Sequence, residues 1–172
     1  MSAPERNRVH IPVNELNQLL AAVHLRDPGT VRHSASVARY ARGIAEEVGM
    51  SQEDRHLVHL AGLMHDVGKL FLPDHILTGT GRLSESDWAQ VRRHPEQGAW
   101  LIADISDPGP LAEIVLDHHE RIDGTGYPNG IAGDEIPELS RISPVAGTYV
   151  VMTARDSYRT TISMYDAIVE PR

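Results

Sequence analysis

Five histidines and one aspartate are the side chains in this sequence best suited to chemistry. Two pairs are adjacent, at residues 65–66 and 118–119, and the second pair lies just before a glycine-rich loop. Imidazole and carboxylate ligands gathered from several helices can bind metal ions that activate water for hydrolysis. The set therefore predicts a metal-assisted hydrolase. Its members are His33, His65, Asp66, His94, His118 and His119.

The adjacent pairs favour coordination because neighbouring positions on a helix are about 100° apart. Two ligands at one helix end can therefore point into one cavity. A carboxylate can bridge two cations, so Asp66 is predicted to lie between two metals. The predicted division places His33 and His65 with one metal, and His94, His118 and His119 with the other.

Structural burial is the alternative for the His65-Asp66 pair. The pair follows the apolar run from Leu60 to Met64, and burying two polar groups there without partners would cost about 1 to 3 kcal/mol each. That cost favours coordination. Lys69, three residues after Asp66, is either a solvated charge or, beside a metal site, a point charge for a phosphate oxygen.

The glycine-rich loop also has two interpretations. It reads Asp123-Gly124-Thr125-Gly126-Tyr127-Pro128. Glycines supply positive φ and proline supplies rigidity, so the loop taken alone predicts an exposed tight turn and nothing more.

Composition narrows the classes of protein. The 172 residues and 41% apolar content suit one globular domain, and a formal charge of -8 argues against a nucleic-acid surface. Cysteine is absent, so any metal needs nitrogen and oxygen ligands, and the cytoplasm is favoured. No apolar run approaches the roughly 20 residues that span a bilayer. We therefore expect no DNA binding and no membrane insertion.

Apolar periodicity predicts an all-α helical bundle of about seven helices and no strand pair. Ser51 with Asp54, and Ser84 with Asp87, are capping patterns that open helices. Residues 1–12 are predicted to be a polar tail, and residues 13–172 a single domain. The predicted helical stretches are 14–25, 30–48, 51–66, a segment from 84 that Pro95 kinks or divides before 99–105, 110–119, one from about 138, and a short one from 163.

Several spaced motifs closely resemble the HD-GYP family of the HD phosphohydrolase superfamily. They are His65-Asp66-Val67-Gly68-Lys69, then Arg93-His94-Pro95-Glu96, then the run from His118 through Glu120 to the Gly-Tyr-Pro loop. The match extends from about Asp27 to Arg159, in the family's order. The resemblance implies an HD-type helical fold with a Gly-Tyr-Pro loop. It also implies hydrolysis of cyclic di-GMP to pGpG or GMP with two or sometimes three Fe, Mn or similar ions.

The resemblance also assigns roles to residues. It places the metal on His33, His65, Asp66, His94, His118 and His119, and the catalytic roles on Asp66 and Lys69. The implied substrate contacts are Lys69, Asp123, Gly124, Gly126, Tyr127, Pro128 and Arg159.

The chain departs from the family pattern after residue 144. Relatives typically read Val-Ala-Asp-x-Tyr-Asp-Ala, with the first aspartate as the last metal ligand, where this chain has Gly147 and then Val150. Pro144 removes a backbone donor from the helix that should present that ligand. Relatives also continue with further helices. The sequence therefore predicts one or two bound ions and reduced activity.

A second functional hypothesis follows from these departures. The chain would then be a catalytically degenerate module that binds a nucleotide, or a protein partner through the Gly-Tyr-Pro loop, with a homodimer as one further assembly. General phosphohydrolase action on another nucleotide or phosphoester is a third hypothesis, which Tyr127-Pro128 disfavours.

Overall fold

Helices are the only regular secondary structure in the residues that the structure, a computed structural model, describes: 13–79, 81–105 and 109–153. This confirms the predicted all-α class. The α-helices are α1 Val13–Arg26, α2 Pro28–Glu47, α3 Gln52–Met64, α4 Asp74–Leu77, α5 Glu85–Val91, α6 His94–Ala103, α7 Leu111–Leu116 and α8 Ile142–Thr153. Short 3-10 helices span Val67–Phe71, Gly133–Glu135 and Leu139–Arg141.

Side-chain caps fix where the long helices begin. The Ser51 hydroxyl accepts a hydrogen bond from the Asp54 N–H at the start of α3. Ser84 and Asp87 form a complete capping box at the start of α5, so both predicted capping patterns are confirmed. Asp27 caps α2 through Gly29 N at 2.9 Å. Because an N-cap satisfies amides that have no helical partner, these residues define the boundaries of the helices.

Two clusters of buried apolar side chains pack the helices together, and α3 contributes to both. One cluster joins α1, α3, α6 and α7, and a second joins α2, α3 and α8. A Cβ on Gly62 would lie 2.5 Å from Ala38 Cα, so only glycine lets α2 and α3 cross this closely. A Cβ on Gly68 would lie 1.9 Å from His94 O. These two glycines let α2 pack closely on α3, and the 3-10 helix Val67–Phe71 pack closely on the start of α6.

The two prolines inside predicted helices lie at helix starts instead. α6 begins at His94, which puts Pro95 in its first turn, so Pro95 divides the predicted segment into two helices. The 3-10 helix Leu139–Arg141 runs directly into α8 at Ile142, so the helical stretch begins close to Glu138, as the sequence predicts. Pro144 is the third residue of α8, in the first turn where proline is tolerated, and the helix continues unbroken to Thr153. The prediction that Pro144 disturbs this helix is therefore wrong.

Several predictions lie outside the described residues: the tail 1–12, the short helix from residue 163, and the substrate contact at Arg159. Among the residues that are described, no helix combines the length and the apolar character needed to cross a membrane.

Candidate metal centre

The predicted ligands lie where helices end or begin, with one exception. His65 is the residue after α3, and Asp66 opens the following 3-10 helix. His94 is the first residue of α6, and the pair 118–119 lies just beyond α7. His33 is the exception, since it lies within α2. The closely packed helix ends therefore bring together residues that are far apart in the sequence.

Three of the histidines make the same local hydrogen bond. Each ring donates from Nδ1 to the carbonyl oxygen three residues earlier, in the last turn of a helix, where carbonyls lack intrahelical partners. A carbonyl only accepts, so Nδ1 carries the hydrogen. In His94 and His118, whose low pKa keeps the ring neutral, Nε2 is then a free acceptor. The bonds join His65 to Gly62 at 2.9 Å, His94 to Val91 at 2.7 Å and His118 to Val115 at 2.6 Å.

His94, His118 and His119 form the first group. One potential ligand atom from each lies within 4.8 Å of the others. Nε2 of His94 lies 3.1 Å from Nε2 of His118. Burial lowers the pKa of His94 to about 4 and the pKa of His118 and His119 well below the usual value. Two neutral acceptors at this distance can bind one cation together, and nitrogen donors suit a transition-metal ion.

His33, His65 and Asp66 form the second group, whose ligand atoms also lie within 4.8 Å of one another. Nε2 of His65 lies 3.3 Å from Oδ2 of Asp66. Burial, with repulsion from His65, lowers the pKa of His33 to about 4. This group is suited to a divalent cation through two imidazoles and one carboxylate oxygen.

Asp66 lies between the two groups. Its Oδ1 is 3.4 Å from Nε2 of His94, while its Oδ2 faces His65 and accepts a hydrogen bond from Lys69 Nζ at 2.7 Å. Burial raises the pKa of Asp66, but the charges of His65 and Lys69 outweigh it and hold the pKa well below the usual range. Asp66 is therefore an ionised carboxylate in the position predicted for a bridge, although the bridging role itself stays a prediction.

The Gly-Tyr-Pro loop lies against the first group. The Tyr127 ring stacks on the His119 ring, with centroids 4.6 Å apart and planes inclined by 22°. Asp123 is exposed and binds within the loop, where it accepts hydrogen bonds from Arg121 and from Thr125 N at 3.0 Å. The hydrogen bonds from Arg121 and Thr125 hold the pKa of Asp123 below its usual range. The loop is thus both an ordered turn and a neighbour of the candidate ligands.

Gly147, which replaces the family's last ligand, lies in the middle of α8 and is partly buried. A Cβ built there would have no heavy atom within 4 Å. The helix itself is intact, so the departure at this position is a missing side chain with open space in its place.

Sequence reasoning gave no role to Glu120, which follows the second histidine pair. This residue is only 2% exposed. Its Oε1 accepts hydrogen bonds from Asn129 N at 2.6 Å and Gly130 N at 3.1 Å. Its position between the histidine pair and the glycine-rich loop could have indicated a role. The sequence could not show its partners, because they lie nine and ten residues away.

Comparison with known proteins places this geometry in a family. The family model described as HD domain matches residues 17–170. A cyclic di-GMP phosphodiesterase of Pseudomonas aeruginosa is 37% identical over 155 residues, covering 88% of this chain and 37% of the relative. A 3'3'-cGAMP-specific phosphodiesterase of Vibrio cholerae is 34% identical over 167 residues, covering 94% of this chain and 36% of the relative. The chain thus spans less than two fifths of the length of these relatives.

Solved structures share the fold. The HD domain of the L. monocytogenes phosphodiesterase PgpH has a TM-score of 0.60 at 18% identity, over 80% of this chain and 74% of that one. A HDG"Y"P protein from Bdellovibrio bacteriovorus has a TM-score of 0.60 at 24% identity, over 80% and 46%. These findings confirm the resemblance drawn from the motifs. The chain belongs to the HD domain family.

Proposed function

We propose that this chain is a metal-dependent phosphodiesterase domain that hydrolyses cyclic di-GMP to pGpG or GMP. The observation that carries the proposal is the pair of three-residue groups that meet at Asp66, whose two carboxylate oxygens face opposite groups. Two relatives of this chain are named as phosphodiesterases of cyclic dinucleotides, which supports the substrate class. The absence of cysteine suits the cytoplasm, which we propose as the compartment.

The residues fit a divalent metal such as Fe or Mn, because every donor is nitrogen or oxygen and two buried Nε2 atoms lie 3.1 Å apart in rings whose Nδ1 atoms bind helix carbonyls. Bound ions would supply Lewis acidity, which lowers the pKa of water and stabilises charge on the departing oxygen. The ligands that we propose are His33, His65, Asp66, His94, His118 and His119.

The protein supplies charge and orientation around those ligands. Asp66 stays ionised, and we propose that it links the two groups. Lys69 lies 2.7 Å from Asp66 and is mostly buried, so its ammonium is a point charge that we assign to a phosphate oxygen of the substrate. We assign the nucleotide to the Gly-Tyr-Pro loop, through Asp123, Gly124, Gly126, Tyr127 and Pro128, and to Arg159.

A direct assay tests this proposal. Purified protein loaded with Mn²⁺ or Fe²⁺ is incubated with cyclic di-GMP, and in parallel with 3'3'-cGAMP, and the products are separated by chromatography. We expect pGpG or GMP from the wild-type chain and none from His65→Ala or Asp66→Ala. Turnover of cyclic di-GMP no faster than in those two variants would contradict the proposal.

A non-catalytic module is the second candidate, and Gly147 is the observation that favours it, because the family's last ligand is missing from an intact helix. The loop would then bind a nucleotide or a protein partner, and a homodimer is one such assembly. Elemental analysis separates the candidates, since about two ions per chain favours hydrolysis and one or none favours the module.

A further inference from the structure

Glu120 is a buried carboxylate for which the proposed hydrolysis has no use. Its Oε1 accepts two backbone hydrogen bonds from Asn129 and Gly130, at the far end of the Gly-Tyr-Pro loop. Its Oε2 is also buried and has no hydrogen-bond partner within the described part of the chain. Burying a carboxylate is costly unless hydrogen bonds compensate. The two loop amides are therefore the contacts that hold this side chain, and in return it holds the loop.

The near end of the loop is fixed by His119. Tyr127 N donates to the carbonyl oxygen of His119 at 3.2 Å. A Cβ on Gly126 would lie 2.5 Å from that same oxygen, so only glycine permits the approach. Tyr127 is thus held directly by the backbone of residue 119, while the carboxylate of Glu120 holds the loop two and three residues later, at Asn129 and Gly130. This arrangement keeps the Tyr127 ring on the His119 ring.

His119 depends on that stacking more than the other rings of its group do. His94 and His118 are each oriented by a bond from Nδ1 to a helix carbonyl. For His119, no side-chain hydrogen bond is found among the described residues. Its ring contacts those of His118 and His94 at centroid distances of 4.2 and 5.1 Å, and it is stacked on the ring of Tyr127. The loop therefore contributes to the orientation of this third ring through Tyr127.

We propose that Glu120 is a positioning residue for His119, and that it acts through the Gly-Tyr-Pro loop and the ring of Tyr127. The inference rests on the proposed role of His119 as a metal ligand. What matters is the reach of Oε1 to the two amides and not the negative charge. A glutamine preserves that acceptor, whereas an aspartate keeps the charge on a side chain one carbon shorter.

The test compares Glu120→Gln, Glu120→Asp and Glu120→Ala with Glu113→Ala, which removes an exposed acid from α7. NMR of the metal-free protein reports the ring-current shift that Tyr127 imposes on the His119 ring protons, and amide exchange at Asn129 and Gly130. We expect Glu120→Gln and Glu113→Ala to retain the shift. Glu120→Asp should lose it and exchange those two amides about tenfold faster, since the shorter side chain no longer reaches them and their hydrogen bonds are lost.

Co²⁺ titration then links the loop to the metal centre. We expect Glu120→Asp to bind Co²⁺ about tenfold more weakly, with an altered d–d spectrum, as for other groups that orient a ligand, whereas Glu120→Gln restores both. An unchanged His119 shift in Glu120→Asp, or equal impairment of the glutamine and aspartate variants, would overturn the inference. If Glu120→Ala does not fold, the glutamine and aspartate pair still decides it. If wild-type protein binds no Co²⁺, the metal proposal fails, and the metal-free NMR comparison judges the loop contact separately.

Discussion

The two groups of candidate ligands differ in how completely the fold supports them. His94, His118 and His119 are close neighbours in space, and two of these rings are oriented by helix carbonyls. The second group takes His33 from another helix and relies on Asp66, whose Oδ2 is already bound by Lys69. The comparison teaches that two sites with the same number of ligands need not have the same affinity. We expect the first group to bind its ion more tightly.

Removing one ligand from each group gives the largest expected effect. His118→Ala should weaken the tighter binding event more than about 100-fold and abolish hydrolysis, because even the loss of an outer partner of a metal ligand costs 10- to 100-fold. His33→Ala should leave the affinity for the tighter ion within about threefold of wild type and remove only the binding of the weaker ion. Isothermal titration of each variant with Mn²⁺ measures both. Equal losses in the two variants would show that the groups are not distinct sites.

Restoring a carboxylate at Gly147 should narrow the difference between the groups. The open space around this position accepts a side chain, and we expect Gly147→Asp to tighten the weaker ion about 10- to 100-fold and to raise the hydrolysis rate. Gly147→Ala is the control, since it places a Cβ at the same position and gains about 1 kcal/mol of helix propensity without a ligand atom. If Gly147→Ala and Gly147→Asp bind the weaker ion equally well, position 147 does not face the metal.

Lys69 provides a test with effects of opposite sign. Lys69→Gln frees Asp66 from a charged hydrogen bond, so the weaker ion should bind about tenfold more tightly. Hydrolysis should nevertheless fall about tenfold, because the point charge assigned to the phosphate is gone. Binding is measured by titration and turnover by product analysis. A variant that hydrolyses cyclic di-GMP as fast as wild type would remove Lys69 from the proposed site.

The metal-free protein should show the smallest difference between the two groups. Burial lowers the pKa of both His33 and His94 from 6.5 to about 4, so between these values the unfolded chain binds more protons than the folded one. The contribution of these two histidines to the free energy of unfolding should therefore be at its full value above pH 6.5. It should decrease as the pH falls towards 4, by up to about 1.4 kcal/mol per pH unit for each group. Asp66 adds nothing in this window, because its pKa lies below it. Urea unfolding of wild type, His33→Gln and His94→Gln measures the slopes, and a wild-type curve that is flat from pH 7 to 4.5 would contradict this expectation.

The sequence predicted the elements whose causes are local. The Ser51 and Ser84 caps could be recognised because a capping residue and its partner are three positions apart. The sequence also predicted which of the six candidate ligands lie together, and the structure brings the same two groups of residues close in space. Their role as metal ligands stays a prediction. Pro144 was misjudged because the start of α8 is set by its packing on α2 and by the 3-10 helix before it.

Contacts across the Gly-Tyr-Pro loop could not be foreseen in the same way. Glu120 reaches amides nine and ten residues away, and only the folded backbone brings them to its Oε1. Similarly, the sequence suggests that Asp123 is a substrate contact, but no pattern shows that its oxygens bind Arg121 and Thr125. Such partners depend on the path of the chain and not on residue type.

Metal stoichiometry tests the central claim most directly. Metal-free protein is titrated with Mn²⁺, and bound ions per chain are counted by elemental analysis for wild type, His33→Ala and His118→Ala. Two ions per wild-type chain, with the tighter one lost in His118→Ala and the weaker one in His33→Ala, is the result that the structure predicts. At most one ion per wild-type chain at saturation would contradict the two-group centre and, with it, the hydrolysis proposed for this domain.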